Sequence, residues 1–380
     1  MSIIVNSTLE QVCLQENRAI ISGPFGSNIS SKYFVDTGIP VIRGNNLSLN
    51  FDKFYDEGFV FVTKEKADEL KCYAYRDDLI FTAAGTIGQV GLIPQNSQYE
   101  EYVISNKQIR ARIDTKKIDL LYAYYWYSSP WIKSLLIRSN KGSTVPLLTL
   151  SEVKDLPIVY PEDIQEQRNI VSIIEAISKK IEFNIQINDN LLAMAYDIYM
   201  YSFYGKIPNG KLKDILVEAD KSSVQVGEAK QSTGEYPFFT SGSAILKWDT
   251  PFVNGRNCFL NTGGNADVKF YVGEAAYSTD TWCISSNKNM SDYLYLLLVS
   301  IKPELNQKFF QGTGLKHLQK PLLKDRDIYI PDFEELQIFN EQVNPMFNVI
   351  SENTRENQEL ITLRDWLLPM LMNGQATISD

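Results

Sequence analysis

Apolar positions along the chain follow two rules, and each rule is used twice. In residues 1–160 and 208–331 they come in short runs closed by Gly, Pro, Asn or Ser, as strands between turns do. In the stretch after each, they recur at alternating spacings of four and three, the mark of a long helix with one seam. The first compact stretch predicts strands at Gly38–Ile42, Asp78–Thr82, Val90–Ile93, Lys107–Ile113 and Leu156–Tyr160. It also predicts an aromatic-rich helix from Asp119 to Ile137, its rings at helical spacing and so bound for a core. The second stretch repeats this order with different side chains. Gly234–Gly242 parallels Gly38–Gly44, Cys258–Gly263 parallels Leu79–Gly85, Asp292–Leu298 parallels Asp119–Tyr125, and Asp327–Pro331 parallels Pro157–Pro161. Gly312-Thr-Gly314 likewise parallels Gly142-Ser-Thr144.

The helical stretches match position for position. Ile170, Ile174, Ile177, Ile181, Asn184, Asn188, Leu191, Ala195 and Ile198 form the first seam. Phe339, Val343, Met346, Ile350, Asn353, Asn357, Leu360, Arg364 and Leu367 form the second, offset by 169 residues at every member. A lone helix of about 40 residues, roughly 60 Å at 1.5 Å per residue, is poorly stable with an unpaired apolar stripe. The natural partner is the other copy. An antiparallel pairing centred on the asparagines sets Asn184 against Asn357 and Asn188 against Asn353, so that buried amides satisfy one another and fix register. Pro345 removes one backbone donor and predicts a kink, or the start of the continuous part of the second helix.

The chain of 380 residues is 44% hydrophobic and 22% charged, ordinary values for a globular protein with room for several cores. It has no apolar run long enough to span a bilayer, and the opening residues lack the basic start of a signal peptide. Four cysteines without C-x-x-C spacing read as reduced thiols, which points to the cytoplasm. A single histidine, His317, removes most zinc and Ser-His-Asp sites. The net charge of −9 argues against nucleic acid until it is divided. Residues 1–160 carry net 0 and 208–331 carry +1, whereas 161–207 carry −3 and 332–380 carry −7. The acidity lies in the helices, and the compact regions are free to hold basic patches.

No phosphate loop, methyltransferase Asn-Pro-Pro-Tyr or nuclease-like carboxylate cluster occurs in the sequence, so a binding protein is favoured over an enzyme. The turns offer Arg, Lys, Asn, Ser and Thr beside glycine, groups suited to base edges and phosphates. In the first copy the candidates are Ser22, Phe25, Ser27, Asn28, Arg43, Asn45, Asn46, Lys141, Ser143 and Thr144. In the second they are Thr240, Ser241, Thr262, Asn265, Thr313, Lys316 and His317.

Taken in order, Gly23-Pro-Phe-Gly-Ser27, Gly38-Ile-Pro-Val-Ile-Arg-Gly44 and Asp78-Leu-Ile-Phe-Thr82 resemble the specificity subunit of Type I restriction-modification systems. So do Pro161-Glu-Asp-Ile-Gln-Glu-Gln-Arg168 and Pro331-Asp-Phe-Glu-Glu-Leu-Gln337 at the helix starts. The resemblance spans essentially the whole chain. It is weaker in the second copy, which has Gly234-Glu-Tyr-Pro237 in place of Gly-Ile-Pro and no Gly-Pro-Phe-Gly. It implies an α+β architecture: two similar α/β target recognition domains, pseudo-two-fold, separated by a long antiparallel two-helix coiled coil. The expected divisions are a first domain at 1–162, a spacer helix at 163–206, a second domain at 207–331, and a second helix with tail at 332–380. Each domain is then expected to read half of a split double-stranded DNA site. The coil would dock two methyltransferase subunits, with restriction subunits able to join. The chain itself is expected to bind no cofactor, S-adenosylmethionine belonging to the methyltransferase. Two other readings remain open on the residues: a two-domain ligand- or peptide-binding protein on a coiled-coil spacer, and an enzyme using His317 with Lys316.

Overall fold

A computed structural model of the chain describes residues 3–49, 51–139 and 147–372. It divides into two compact units, Met1–Lys179 with Ile361–Asp380 and Lys180–Leu360.

In the first unit an antiparallel sheet runs in the order Ile20–Ser22, Gln108–Arg112, Asp78–Thr82, Val90–Leu92. Its central strand is apolar without alternation because both its faces are covered. Leu79 and Phe81 enter one core with Tyr122 to Tyr127, Ile170, Ile174, Leu368 and Leu371. Ile80 points the other way, into a core with Val41, Ile42, Val103 and Ile104. The latter residues belong to a mixed sheet ordered Val60–Val62, Ile39–Ile42, Glu101–Ile104, Tyr73–Tyr75. Ile39–Ile42 runs parallel to Glu101–Ile104 and antiparallel to Val60–Val62. The aromatic helix starts where Asp119 accepts from Leu121 and Tyr122 amides at 3.0 and 3.1 Å. It covers Leu120–Tyr127, and a second helix follows at Pro130–Ser139. The rings are core as expected, except that Trp131 is half exposed against Trp126.

The second unit repeats the topology. Its antiparallel sheet is ordered Leu216–Glu218, Thr281–Ser286, Arg256–Asn261, Val268–Val272, so that chain order maps onto sheet order as in the first unit. A mixed sheet again has a central strand, Tyr236–Phe239, antiparallel to Ile245–Trp248 and parallel to Ala276–Tyr277. Cys258 and Leu260 enter one core and Phe259 the other, where it stacks on Phe239 at 4.1 Å. A hairpin, Phe310–Gln311 with His317–Leu318, completes the unit.

The long helices are Ile164–Phe203 and Phe333–Met372, 40 residues each, with ends again offset by 169. Both begin on an aspartate cap: Asp163 accepts from the Gln165 amide at 2.8 Å and Asp332 from that of Glu335 at 2.9 Å. Pro345 neither starts nor ends its helix. A proline removes one backbone bond, and the buried flanking residues Val343 and Phe347 keep the turn packed. Arg256 ties the sheet of the second unit to this helix. It grips the buried Asp292 through two bonds of 2.6 Å and donates to the Asn344 carbonyl at 3.1 Å and Asn348 Oδ1 at 2.8 Å. Burial pushes the Asp292 carboxyl above its ordinary range despite the pull of Arg256.

Candidate nucleic-acid interface

The first unit carries a cleft of about 430 Å³ where the turns of its two sheets converge, lined by Arg43, Asn45, Thr82, Gln89, Asn106 and Lys107 among others. The Arg43–Asn46 turn is stapled from beneath. Asn46 Oδ1 accepts from the Arg43 amide at 2.9 Å, and its Nδ2 donates to the Tyr55 and Glu57 carbonyls at 3.0 and 2.8 Å. Gln89 adds bonds to the Gly44 and Leu47 carbonyls at 3.0 and 2.8 Å and accepts from the Thr82 hydroxyl at 3.1 Å. With the backbone held, the side chains of Arg43 and Asn45 make long contacts with the Gly58 carbonyl, at 3.3 and 3.2 Å. The Arg43 Nε is buried and has no hydrogen-bond partner among the described residues.

Asn106 and Lys107 are exposed on the turn that joins Glu101–Ile104 to Gln108–Arg112. The Gly23-Pro-Phe-Gly26 loop lies against that turn. A Cβ on Gly23 would meet the Ser105 carbonyl at 1.8 Å, so only glycine fits there. Ser22, Phe25, Ser27 and Asn28 are all exposed, Phe25 at 85%.

In the second unit two of the candidate loops meet. The Leu318 amide donates to the Thr262 carbonyl at 3.0 Å and the Gly264 amide to the Lys316 carbonyl at 2.9 Å, and Gly263 bridges His317. Asn261 holds the loop from inside, donating to the Gly263 and Asn265 carbonyls at 2.7 and 2.5 Å and accepting from the Asp267 amide at 2.7 Å. Asn265, Thr313, Lys316 and His317 face solvent, whereas Ser241 and Thr262 are half-buried. The Thr262 hydroxyl is bonded to the Asp280 carbonyl at 3.0 Å.

Two candidates are corrected. Asn46 is fully buried with its amide spent on the backbone, and Thr240 is 5% exposed with its hydroxyl on the Ala244 carbonyl at 2.8 Å. Both are turn staples, because a short polar side chain beside glycine satisfies its own loop before it can reach outward. Lys141, Ser143 and Thr144 lie outside the described residues. The sequence does not single out Asn106 and Lys107 as cleft residues because Lys107–Ile113 reads as one alternating strand, although Ser105-Asn-Lys107 carries a turn signal.

On the helices, Asn184 Nδ2 donates to Asn357 Oδ1 at 2.8 Å, and Asn353 Nδ2 donates to Asn188 Oδ1 at 2.8 Å. These bonds and the ring contact of Phe203 with Phe339 make the helix segments of the second unit antiparallel. Asn184 also donates to Glu356 at 2.6 Å, and Lys180 lies 3.1 Å from the same carboxylate. Together they hold the Glu356 carboxyl below its ordinary range. Ile174 and Val343 are fully buried, each in the core of its own unit, and Ile181 and Ile350 are half-buried. Among the described residues no group of three or more His, Cys, Asp or Glu could hold a metal, and no helix is long and apolar enough to cross a membrane.

Two copies of one sheet topology, each presenting stapled polar turns and ending in a 40-residue helix, define a duplicated recognition scaffold. The chain belongs to the Type I restriction modification DNA specificity family, whose domain matches residues 5–193 and again 207–362. Membership makes it a specificity subunit, the component of such a system that recognises DNA. It is 21% identical to the specificity subunit of the Type I restriction enzyme MjaIX of Methanocaldococcus jannaschii, over 90% of this chain and 88% of that protein. It is 22% identical to a putative type I specificity subunit of Mycoplasma pneumoniae, over 68% and 74%. The crystal structure of the Type-I restriction-modification S subunit from M. genitalium superposes with a TM-score of 0.59 at 12% identity, over 100% of this chain and 97% of that one. That likeness concerns the fold.

Proposed function

We propose that residues 1–162 and 207–331 each read one half of a bipartite double-stranded DNA site. In this reading 163–206 and 332–380 pair as an antiparallel coiled coil with pseudo-two-fold symmetry. The coil sets the gap between half-sites and docks two methyltransferase subunits, with restriction subunits able to join the complex. The chain supplies recognition and no catalytic residue, and S-adenosylmethionine sits on the methyltransferase. The complex works in the cytoplasm. Arg43, Asn45, Asn106 and Lys107 contact DNA in the first half, joined by the exposed Ser22–Asn28 loop. Asn265, Thr313, Lys316 and His317 do so in the second.

One observation carries the reading: the four-stranded antiparallel sheet is duplicated in the same strand order, and the central pairings of the mixed sheet recur, while the turns differ. Arg43-Gly-Asn45 follows the central strand of one mixed sheet, whereas the equivalent Thr240-Ser-Gly242 of the other begins with a buried staple. A duplicated ligand site would keep its turns. A divided asymmetric target calls for different ones. The near-neutral charge of both compact regions permits approach to phosphates, and the acidic helices favour protein neighbours. The test is to co-express the chain with its methyltransferase subunit and sequence the methylated adenines of the host DNA. Two short specified sequences separated by an unspecified gap of fixed length are expected. A single contiguous motif would overturn the proposal.

A further inference from the structure

We infer that the two methyltransferase docking positions are unequal, the first long helix carrying an apolar docking stripe whose counterpart on the second is half carboxylate. This rests on the docking proposed above and goes beyond it. Within the second unit, Phe183, Ile187, Met194 and Tyr201 stand on the first helix at spacings of four, seven and seven. At about 100° per residue these positions fall within roughly 40° of one another. They form a stripe beside the asparagine seam, not part of it. Their exposures are 56%, 44%, 53% and 95%, high for four large apolar groups on one line.

The 169-residue offset places Glu352, Glu356, Leu363 and Met370 at the same positions of the second helix. Two carboxylates thus replace Phe183 and Ile187. The core seams of the two helices match in character except where Arg364 answers to Ala195, whereas these outer stripes differ at half their positions.

The rim identifies the occupant. From Ile181 to Gly205 there is no lysine or arginine, and Glu182, Asp189 and Asp197 are exposed on the side of the helix away from the seam. On the seam side Glu356 is already bonded to Asn184 and paired with Lys180, which stands one heptad before Ile187 on the line of the stripe. An apolar strip with exposed carboxylates on its outer side fits a protein face that is apolar and edged with Lys or Arg. DNA is repelled by it, and a second copy of this chain would bring acid against acid. The methyltransferase subunit is the protein neighbour the helices are proposed to hold, and we assign it such a face.

The test titrates the purified full-length chain with its methyltransferase subunit, following heat by calorimetry and stoichiometry by native mass spectrometry. Wild type should bind two copies in steps whose dissociation constants differ by about tenfold or more. F183S with I187S should weaken the tighter step by about tenfold or more while leaving the other unchanged, and F183L should restore it. An unchanged helix signal and melting curve in circular dichroism would separate lost docking from lost fold. E352F should bring the weaker step toward the tighter one. Equal steps in wild type, or F183S/I187S binding both copies as wild type does, would overturn the inequality and leave the docking reading standing. A wild-type chain that binds no methyltransferase would overturn that reading and this inference together. A dimer of the chain alone that F183S/I187S abolishes would overturn the assigned occupant.

Discussion

Arg43 and Lys107 sit at one cleft but should fail differently. A guanidinium on a stapled turn, with Nε unpaired, is built to reach a guanine edge, whereas an exposed lysine on a neighbouring turn suits a phosphate. Arg43→Ala should relax one base position in one half-site, a loss of about 1–3 kcal/mol of discrimination. Lys107→Ala should weaken binding to all sequences alike and reduce the salt slope by about one. Selection of bound DNA from a random pool, at two salt concentrations, distinguishes the two; relaxation of both half-sites by R43A would contradict the assignment. Asn46 shows where residue-scale reading ran out. Its type and its place beside Gly44 match those of Asn45, and only burial separates a turn staple from an exposed amide. Composition cannot carry that distinction. The buried pair Arg256–Asp292 gives a second residue-scale test. Arg256→Met leaves a carboxylate in the core and should cost about 3 kcal/mol at neutral pH, read by urea unfolding. The folded Asp292 already has a raised pKa, so its contribution to stability is fully present below the unfolded value and is lost as pH rises through the folded one. Removing the arginine raises that pKa further. The deficit of R256M should therefore be smaller at pH 5 than at pH 8, and a deficit independent of pH would show that packing, not charge, is what the arginine supplies.

At the scale of elements, the asparagine layers make a sharper prediction than burial alone. Asn184→Leu removes a donor from Asn357 and Glu356 at once and should destabilise by about 1–3 kcal/mol. Asn184→Leu combined with Asn357→Leu replaces both partners by apolar groups and should be near neutral in stability. Asn188→Leu with Asn353→Leu should loosen register instead, which disulfide trapping between introduced cysteines would detect. Equal losses for the single and double variants at the first layer would mean that the amide pair contributes little. These helices were legible because a seam written twice at a constant offset is a long signal, and chance does not sustain it over 40 residues. Strands such as Tyr73–Tyr75 and Leu216–Glu218 escaped because three residues carry no period. Thr281–Ser286 escaped for the opposite reason: it is a central strand, buried in its first four residues, so no polar alternation marks it. Pro345 does not mark the start of its helix, because the buried Val343 and Phe347 keep the chain helical on both sides of the missing bond.

For the whole molecule, the proposed function turns helix length into a property of the DNA site. Ile185–Leu191 and Ile350–Glu356 face each other in the antiparallel register defined by Asn188 with Asn353 and Asn184 with Asn357. Deleting both segments removes one heptad from each helix, leaves Asn184 opposite Asn357, and keeps the seam in phase because seven residues are two turns of a coiled coil. Each helix shortens by about 10 Å at 1.5 Å per residue. DNA rises about 34–36 Å per turn of 10–10.5 base pairs, so the unread gap should contract by about three base pairs. Neither half-site sequence should change, since no recognition turn is touched. The two half-sites would, however, rotate by about a quarter to a third of a turn about the DNA axis relative to the wild-type spacing, because three base pairs is that fraction of a helical repeat. The shortened chain should therefore methylate more slowly even at its new optimum, and the methylome of cells expressing it with its methyltransferase subunit reads both effects at once. An unaltered gap would mean that the helices do not set the spacing. Altered half-sites would mean that the recognition turns depend on the coil for their shape, through cores that take in Ile174 and Leu368 in one unit and Ala195 and Val343 in the other.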